Sequence, residues 1–361
     1  MTFEQSILEK SSVLVAGCGA LGNEVLKNLA LSGVGHIVCV DFDVVELGNL
    51  SRSVLFRKKD CGRRKVDVVK ERLEEINPAI VVEKVYGNIA FDIGLGLWRE
   101  MDAVVSCVDS RWARFMINRH CMRTGRPWVD GAIDALECTA RVFMPGENCY
   151  ACSLGPEGLA ELRRRMPCSN TIRRMEMEGS VPTTSISASV AGAVVAQEVL
   201  KILCGKESIC GRMFYYEGER MSSRMVEFAA YDENCPEHER WEPLELSGKG
   251  VDCTVRDFLG SIGETDDCFF MLRDDCFVDY IQKRNGTEKY RMMLSGRKIE
   301  EAMSCNDELA GARCSDFYES EYRRIDCAFP YMDLTLGELG IPGRDILPVF
   351  DGKREYYLEL K

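Results

Sequence analysis

The chain has 361 residues, a net charge of −12 and 46% hydrophobic residues. That length supports about two domains, and no basic block is long enough to point to a nucleic-acid partner. Its 18 cysteines are scattered through apolar stretches rather than spaced as a disulfide framework. With no secretory signal at the start and no apolar run of membrane-spanning length, the expectation is a cytoplasmic protein with no membrane partner.

In chain order, apolar residues ending at Ala16 lead into Gly17-x-Gly19-x-x-Gly22. An apolar helical run follows, then a strand His36 to Val40 that ends on Asp41. This is the β-α-β order of a dinucleotide fold. Gly17 permits the tight turn, Gly19 lets a phosphate approach the backbone, and Gly22 lets helix and strand pack closely. The helix start presents free N–H groups to an anion, and Asp41 stands where an acid can bond ribose hydroxyls. Asn49, Arg52, Arg57 and Lys65 come next, and a further apolar strand, Val104 to Val108, ends on Asp109. A diphosphate needs few of these groups. A triphosphate with a metal needs cations for its charge and a carboxylate for Mg²⁺. Taken singly, Arg52, Arg57 and Lys65 also fit a solvated basic face.

Lys65 to Ile76 carries Val66, Val69, Leu73 and Ile76 at helical spacing and stops at Asn77-Pro78. Strands are expected at Ile80 to Val85, Ala103 to Val108, Thr139 to Met144, Arg212 to Tyr216 and Met225 to Ala229. Trp128 and Val129 lead to Asp130-Gly131. Helices are expected at Arg111 to Arg123 and Ser185 to Cys204, the latter with Val190, Ala191, Val194 and Leu200 inward. The fold class is α/β, a Rossmann-like, mostly parallel sheet with antiparallel additions and flanking helices.

Two knuckles interrupt this pattern. Cys149-x-x-Cys152 and Cys235-x-x-His238 have metal-ligand spacing, and three thiolates with one imidazole suit tetrahedral Zn²⁺ in a closed structural site. Two surface loops with incidental cysteines are the alternative. The second interruption is the polar crossover segment 153–184. Cys168 lies within it, flanked by Arg163, Arg164, Arg165, Arg173 and Arg174. Guanidinium groups nearby favour the thiolate, the nucleophilic form. The alternative is one more incidental cysteine.

The run DFDVVELGNLSRS, then Lys65, then CVDSRWARFMIN resembles the ubiquitin-activating-enzyme superfamily of ThiF/MoeB/HesA-type adenylyltransferases. Lys65 follows Arg52 by thirteen residues and Asp109 follows Lys65 by forty-four, as in that family's pattern. The resemblance covers roughly Ser11 to Asp232. It implies that Asp41 binds the ATP ribose and that Asp43 is among the nucleotide-binding residues. It also implies that Asn49, Arg52 and Lys65 contact the phosphates, and that Asp109 holds Mg²⁺ with Arg114 and Asn118 supporting its turn. Relatives carry structural zinc on two such knuckles, usually with four cysteines, so His238 is a departure in ligand type. Activating relatives place a catalytic cysteine in the crossover segment, which implies that role for Cys168. Many relatives also reach into a partner subunit's ATP site with an N-terminal arginine. MTFEQSILEK has none, so Arg57 or Arg111 is expected to supply that charge unless the dimer differs.

Residues 244–361 change character, after an adenylation domain read as 1–243. Thr254-x-x-Asp257 starts a helix, Thr335-x-x-Glu338 is a capping box, and short strands lie at Cys268 to Leu272, Ile346 to Val349 and Glu355 to Leu360. A small α+β domain is expected, with a loose resemblance to the ubiquitin-fold domain that holds a conjugating enzyme. Dimerisation, peptide recognition or simple cover are its other roles. Cys253, Cys268, Cys276, Cys305, Cys314 and Cys327 show no metal spacing and read as buried small hydrophobes.

The resemblance implies ATP-dependent adenylation of the C-terminal glycine of a ubiquitin-like protein, a thioester on Cys168, and transfer to a ubiquitin-conjugating-type enzyme, by a homodimer using ATP, Mg²⁺ and Zn²⁺. The pattern looks like bacterial ubiquitin-like conjugation systems. Alternatives are adenylation alone, for a sulfur-carrier protein or a ribosomal peptide, a non-catalytic nucleotide-binding scaffold, and an NAD-dependent oxidoreductase.

Overall fold

The computed structural model describes residues 3–164, 183–227, 230–263, 266–306, 308–309, 312 and 314–361. The described chain forms two compact units. The first comprises residues 3–90, 98–159 and 183–240, and the second comprises 91–97, 160–164 and 241–361.

In the first unit, β1 (Ser12–Ala16), β2 (His36–Asp41), β3 (Val81–Tyr86), β4 (Ala103–Ser106), β5 (Trp128–Asp134), β6 (Glu137–Phe143), β7 (Arg212–Glu217) and β8 (Ser222–Glu227) make one sheet. Its order is β3-β2-β1-β4-β5-β6-β7-β8. The pairs from β3 to β5 are parallel and those from β5 to β8 antiparallel. Parallel strands need crossovers, and α2 (Ala20–Leu31), α3 (Lys65–Ile76) and α5 (Arg111–Thr124) supply three of them. Helices on both faces explain why β1 reads as an unbroken apolar run: Val13, Leu14, Val15 and Ala16 are all fully buried. β1 pairs with β2 on one side and β4 on the other, Val13 lying opposite both Ile37 and Ala103. The chain thus turns outward in opposite directions from β1 and β4. That reversal opens a crevice beyond their carboxyl ends, the place where open α/β sheets take ligands.

Helix α7 (Ser185–Leu203) starts at Thr184, whose hydroxyl accepts the Ser187 N–H at 3.1 Å. Its inward side includes Ala188, Ala191, Val195, Val199 and Leu200, packed beside α2 and β5; of the expected inward residues, Ala191 and Leu200 are buried, and Val190 and Val194 are partly buried against the same core. Nineteen residues at mean hydropathy 1.5 make α7, among the described residues, long and apolar enough to cross a bilayer. The expectation that no such run exists is therefore corrected. Half of that stretch is buried inside the fold, because small side chains let the helix seat closely against sheet and neighbour.

The second unit has a five-stranded sheet in the order β14-β10-β15-β16-β9 and a three-stranded sheet in the order β12-β11-β13. The strands are β9 (Leu244–Leu246), β10 (Phe269–Met271), β11 (Phe277–Lys283), β12 (Lys289–Ser295), β13 (Phe317–Tyr322), β14 (Arg324–Asp326), β15 (Ile346–Phe350) and β16 (Glu355–Glu359). Helix α8 (Val255–Ile262) buries Val255, Phe258, Leu259 and Ile262 on one face, and its Thr254 cap accepts the Asp257 N–H at 3.1 Å, as expected. The Thr335–Glu338 capping box also forms, at 3.2 and 2.8 Å, but on a turn rather than a helix. Gly337, Gly340 and Pro342 prevent the helix from propagating. Cys268, Cys276 and Cys314 are buried, whereas Cys253 is half-buried and Cys305 and Cys327 are exposed, a correction to their reading as core.

Residues 91–97, which lie between β3 and β4 in sequence, belong to this unit. The Arg273 guanidinium donates to the Ile93 carbonyl at 3.0 Å and to Asp345, which in turn accepts the Leu95 N–H at 3.0 Å. Arg297 binds Asp92 at 3.1 Å and Asp275 at 3.4 Å.

Candidate nucleotide site and metal knuckles

The glycine turn is built as its spacing requires. Gly17 has φ +93°, and a Cβ there would lie 2.6 Å from the Cys107 carbonyl oxygen. A Cβ on Gly22 would lie 1.9 Å from the Gly17 carbonyl oxygen, so only glycine lets α2 start this close to β1. A Cβ on Gly19 would meet nothing within 4 Å, which leaves open space above the turn. Gly19 itself is the N-cap of α2 and offers no side-chain oxygen, so the first turn of N–H groups has no side-chain cap.

Asp41 ends β2 beside this turn. Its carboxylate accepts the Cys18 and Asp43 N–H groups, each at 2.7 Å. Burial pushes the Asp41 carboxyl up, against the pull of Lys65 and of those two N–H groups. Lys65, the first residue of α3 and mostly buried, reaches back to Asp43 at 2.6 Å. Burial alone would lower the Lys65 ammonium, but Asp41 and Asp43 outweigh it and raise its pKa. The expected Asp41, Asp43 and Lys65 are therefore brought into one cluster at the carboxyl end of β2, next to Gly17 and Gly19.

Asn49 and Arg52 lie on the short 3-10 turn that follows. Asn49 accepts the Glu46 N–H at 2.9 Å, and Arg52 donates to the Gly48 carbonyl at 2.8 Å. Of the two expected extra cations, Arg57 is engaged with the carbonyls of Val54 at 2.8 Å and Phe56 at 2.9 Å. Arg111 opens α5, is exposed, and makes no hydrogen bond or ion pair among the described residues.

Asp109 sits on the loop from β4 to α5. That loop starts against the glycine turn, with the Cys107 N–H donating to the Ala16 carbonyl at 2.8 Å. Arg114 pins it by donating to the Val108 carbonyl at 2.7 Å. Asn118 makes no hydrogen bond to this loop among the described residues; it accepts the Tyr150 N–H at 2.9 Å, beside the knuckle.

Two further residues shape the site with no motif to announce them. Asn23 is fully buried and ties three segments together: its amide donates to the Cys18 carbonyl at 2.7 Å and the Gly19 carbonyl at 2.9 Å, and its oxygen accepts the Leu55 N–H at 2.9 Å. Asp130, also fully buried, accepts from Arg114 at 2.9 Å, Arg141 at 2.5 Å and the Ser106 hydroxyl at 2.9 Å. Burial would raise the Asp130 carboxyl, but the two guanidinium groups and Ser106 hold it below its ordinary range. A single Asn inside an apolar helix and a lone Asp-Gly on a strand carry no periodicity, so only the fold brings their partners to them.

The four knuckle residues converge. Cys149, Cys152, Cys235 and His238 offer ligand atoms all within 4.8 Å of one another. Their sulfurs lie 3.7 Å (Cys149–Cys152) and 3.8 Å (Cys149–Cys235) apart, and Cys152 lies 3.2 Å from His238 Nε2. Thiolates bonded to one zinc at about 2.3 Å and tetrahedral angles would stand ~3.8 Å apart, so the donor set and spacing fit that ion. Tyr231 stacks on the His238 ring at 4.4 Å between centroids, and Arg119 grips the preceding residue, Glu237, through two bonds of 2.7 and 2.8 Å. These contacts fix the second knuckle from outside the ligand set. Cys168 lies outside the described residues, as do Arg165, Arg173 and Arg174.

Comparison with known proteins agrees with this geometry. Residues 2–237 match the ThiF family. The chain is 31% identical over 229 residues to the sulfur carrier protein adenylyltransferase of Thermus thermophilus, covering 62% of this chain and 80% of that one. It is 30% identical over 230 residues to the adenylyltransferase and sulfurtransferase MOCS3 of Culex quinquefasciatus, covering 63% of this chain and 50% of that protein. The matched region thus spans about half the length of the MOCS3 relatives. Among solved structures, Escherichia coli MccB with ATP superposes at a TM-score of 0.55 and 24% identity, over 65% of this chain and 68% of that one, a likeness of fold. A glycine turn at the sheet's reversal point, an acid–lysine cluster at the end of β2 and a family match through most of the first unit lead to one statement: this chain belongs to the ThiF family.

Proposed function

We propose that this chain adenylates the C-terminal carboxylate of a small carrier protein or peptide with ATP. One carboxylate oxygen bonds to the α-phosphorus, the bond from that phosphorus to the bridging oxygen of the β-phosphate breaks, and pyrophosphate leaves. The observation that carries this reading is the Asp41–Asp43–Lys65 cluster, set beside an uncapped glycine turn within the residues that match the family. In an acyl-adenylation the protein supplies position and charge rather than covalent help. Asp41 would orient the ribose. Lys65, released from Asp43, and Arg52 would steady charge on the phosphates. Asp109 would hold Mg²⁺, whose part is to neutralise phosphate oxygens. Arg111 is better suited than Arg57 to add a further cation, because Arg57 is already engaged with its own loop. The knuckles would hold a structural Zn²⁺.

The curated relatives are named for adenylyl and sulfur transfer. Those names favour adenylation alone over the thioester and conjugating-enzyme relay, so adenylation leads here. The arginine-flanked Cys168 keeps the thioester as the finer alternative, and a homodimer remains part of the reading.

The test is incubation with α-labelled ATP, Mg²⁺ and a panel of purified small proteins ending in glycine. Pyrophosphate and an α-labelled carrier adenylate forming in equal amounts with one of them, with AMP appearing only as that adenylate is cleaved, and all of these lost in Lys65→Ala, is the expected result. ADP as the product, or no ATP binding at all, would overturn the reading. A thiol-sensitive adduct of the same carrier that disappears in Cys168→Ala would add the relay.

A further inference from the structure

We propose that the side-chain amide of Asn118 donates an N–H···S hydrogen bond to the metal-bound Cys149 thiolate and so acts as a positioning residue for the first knuckle. The proposal rests on the zinc reading of the knuckles and not on the adenylation reading. Three observations meet at this side chain.

First, the amide has a fixed orientation. Asn118 lies on α5, is fully buried, and accepts the Tyr150 N–H at 2.9 Å. Only the oxygen of a carboxamide can accept a backbone N–H, so this bond tells Oδ1 from Nδ2. Tyr150 directly follows Cys149. The bond therefore ties Asn118 to the main chain of the knuckle itself.

Second, the Nδ2 donor is left over. It is shielded from solvent and completes no hydrogen bond among the described residues. A buried donor with no acceptor is costly. A thiol sulfur accepts only weakly, whereas metal binding requires the thiolate. Loading the site would thus create beside Tyr150 the acceptor that this amide lacks.

Third, Cys149 is the knuckle thiol with least access to water. It is 0% exposed, against 9% for Cys152 and 8% for Cys235. Burial pushes the Cys149 thiol up, and the neighbouring sulfurs of Cys235 and Cys152 add to that. The Cys152 N–H and the Asn118 side chain act the other way and favour the thiolate. Three thiolates on one Zn²⁺ leave the site negative overall, and at Cys149 water cannot offset that charge. Protein N–H groups are the donors in place to do it.

The neighbour of Asn118 on α5 serves the other knuckle, since Arg119 grips Glu237 beside His238. Consecutive residues of one helix thus brace the two halves of the ligand set. Outer contacts of this kind orient ligands and tune metal affinity.

The test uses the full chain, reduced, with a magnetically active cadmium isotope in place of zinc and with isotope-labelled asparagine. Nuclear magnetic resonance should show a scalar coupling across N–H···S between the metal and one side-chain amide. That amide signal should be missing in Asn118→Asp, which keeps an oxygen for the Tyr150 N–H and replaces only the donor. In competition with a chelating dye, Asn118→Asp should hold zinc about 10–100-fold more weakly than the parent chain. Bound cadmium with no coupling to any side-chain amide would overturn the proposal and leave the zinc reading standing. Unchanged zinc affinity in a folded Asn118→Asp would also overturn it. A parent chain that takes up neither ion would overturn both readings. Should Asn118→Asp fail to fold, the coupling in the parent chain decides alone.

Discussion

Residues 91–97 are held in the second unit by a buried pair, and breaking it sets a measurable cost. Arg273 and Asp345 have side chains only 3% and 2% exposed, and the guanidinium Nε lies 3.0 Å from the carboxylate. Arg273→Ala would leave Asp345 ionised in a site that water hardly reaches. It would also strip the Ile93 carbonyl of the guanidinium donor it now has. Removing one partner of a buried pair costs about 3–5 kcal/mol. The double replacement Arg273→Met with Asp345→Leu removes both charges; like the single variant it takes the guanidinium donor from the Ile93 carbonyl, and it adds only the loss of the acceptor for the Leu95 N–H, about 1–3 kcal/mol. The single variant should therefore be the less stable of the two. Urea unfolding followed by circular dichroism and by the fluorescence of Trp241, which lies in this unit, reads the difference. At a slope of about 2 kcal/mol per molar, a loss of about 4 kcal/mol moves the midpoint by ~2 M. A shift under ~0.5 M for Arg273→Ala, or a double variant weaker than the single, would refute the reasoning.

Other consequences can be measured directly. Asp130→Asn should destabilise the first unit by about 3–5 kcal/mol at pH 7, since two buried guanidinium groups lose their carboxylate. The Asp130 pKa is depressed by folding, so the parent's advantage is present above the unfolded value of about 3.9 and disappears as pH falls below it. Melting curves of the two proteins should converge toward pH 2–3, and a gap that stays constant with pH would count against the pairing. Metal analysis of reduced protein should find one zinc per chain, with Cys149→Ser losing it; full zinc content in that variant would show that the knuckles are not the ligands. Lys65→Ala should slow ATP–pyrophosphate exchange about 10²-fold, the scale of losing one charge-stabilising donor, and an unchanged rate would remove Lys65 from the site. Thr184→Ala should cost about 1 kcal/mol in urea unfolding through loss of the α7 cap, and no change would mean that the hydroxyl carries nothing.

Periodic and geometric signals were readable in the chain itself. The spacing Gly17-x-Gly19-x-x-Gly22 needs only local sterics, and the knuckle spacing needs only ligand geometry, so both were legible without the fold. The Thr254 cap is equally local. What was not legible depends on distant partners. Asp130 gains meaning from Arg141 and Arg114, and Asn23 from Leu55, none of which sequence spacing connects. The FDIGLGL stretch from Phe91 carries apolar residues at neither helical nor strand period, and nothing in it tells that Arg273 and Asp345 will bind its backbone. The Thr335–Glu338 box misled because its hydrogen bonds form equally well on a turn.

The carboxamide of Asn23 has a consequence for how the chain would report an occupant. One side chain holds the carbonyls of Cys18 and Gly19 on one hand and the Leu55 amide on the other. An anion settling over the glycine turn would stiffen the first pair, and the amide oxygen would pass that restraint to a stretch three residues beyond Arg52. Solvent-proton exchange at Leu55 would therefore serve as a remote gauge of what sits on the turn.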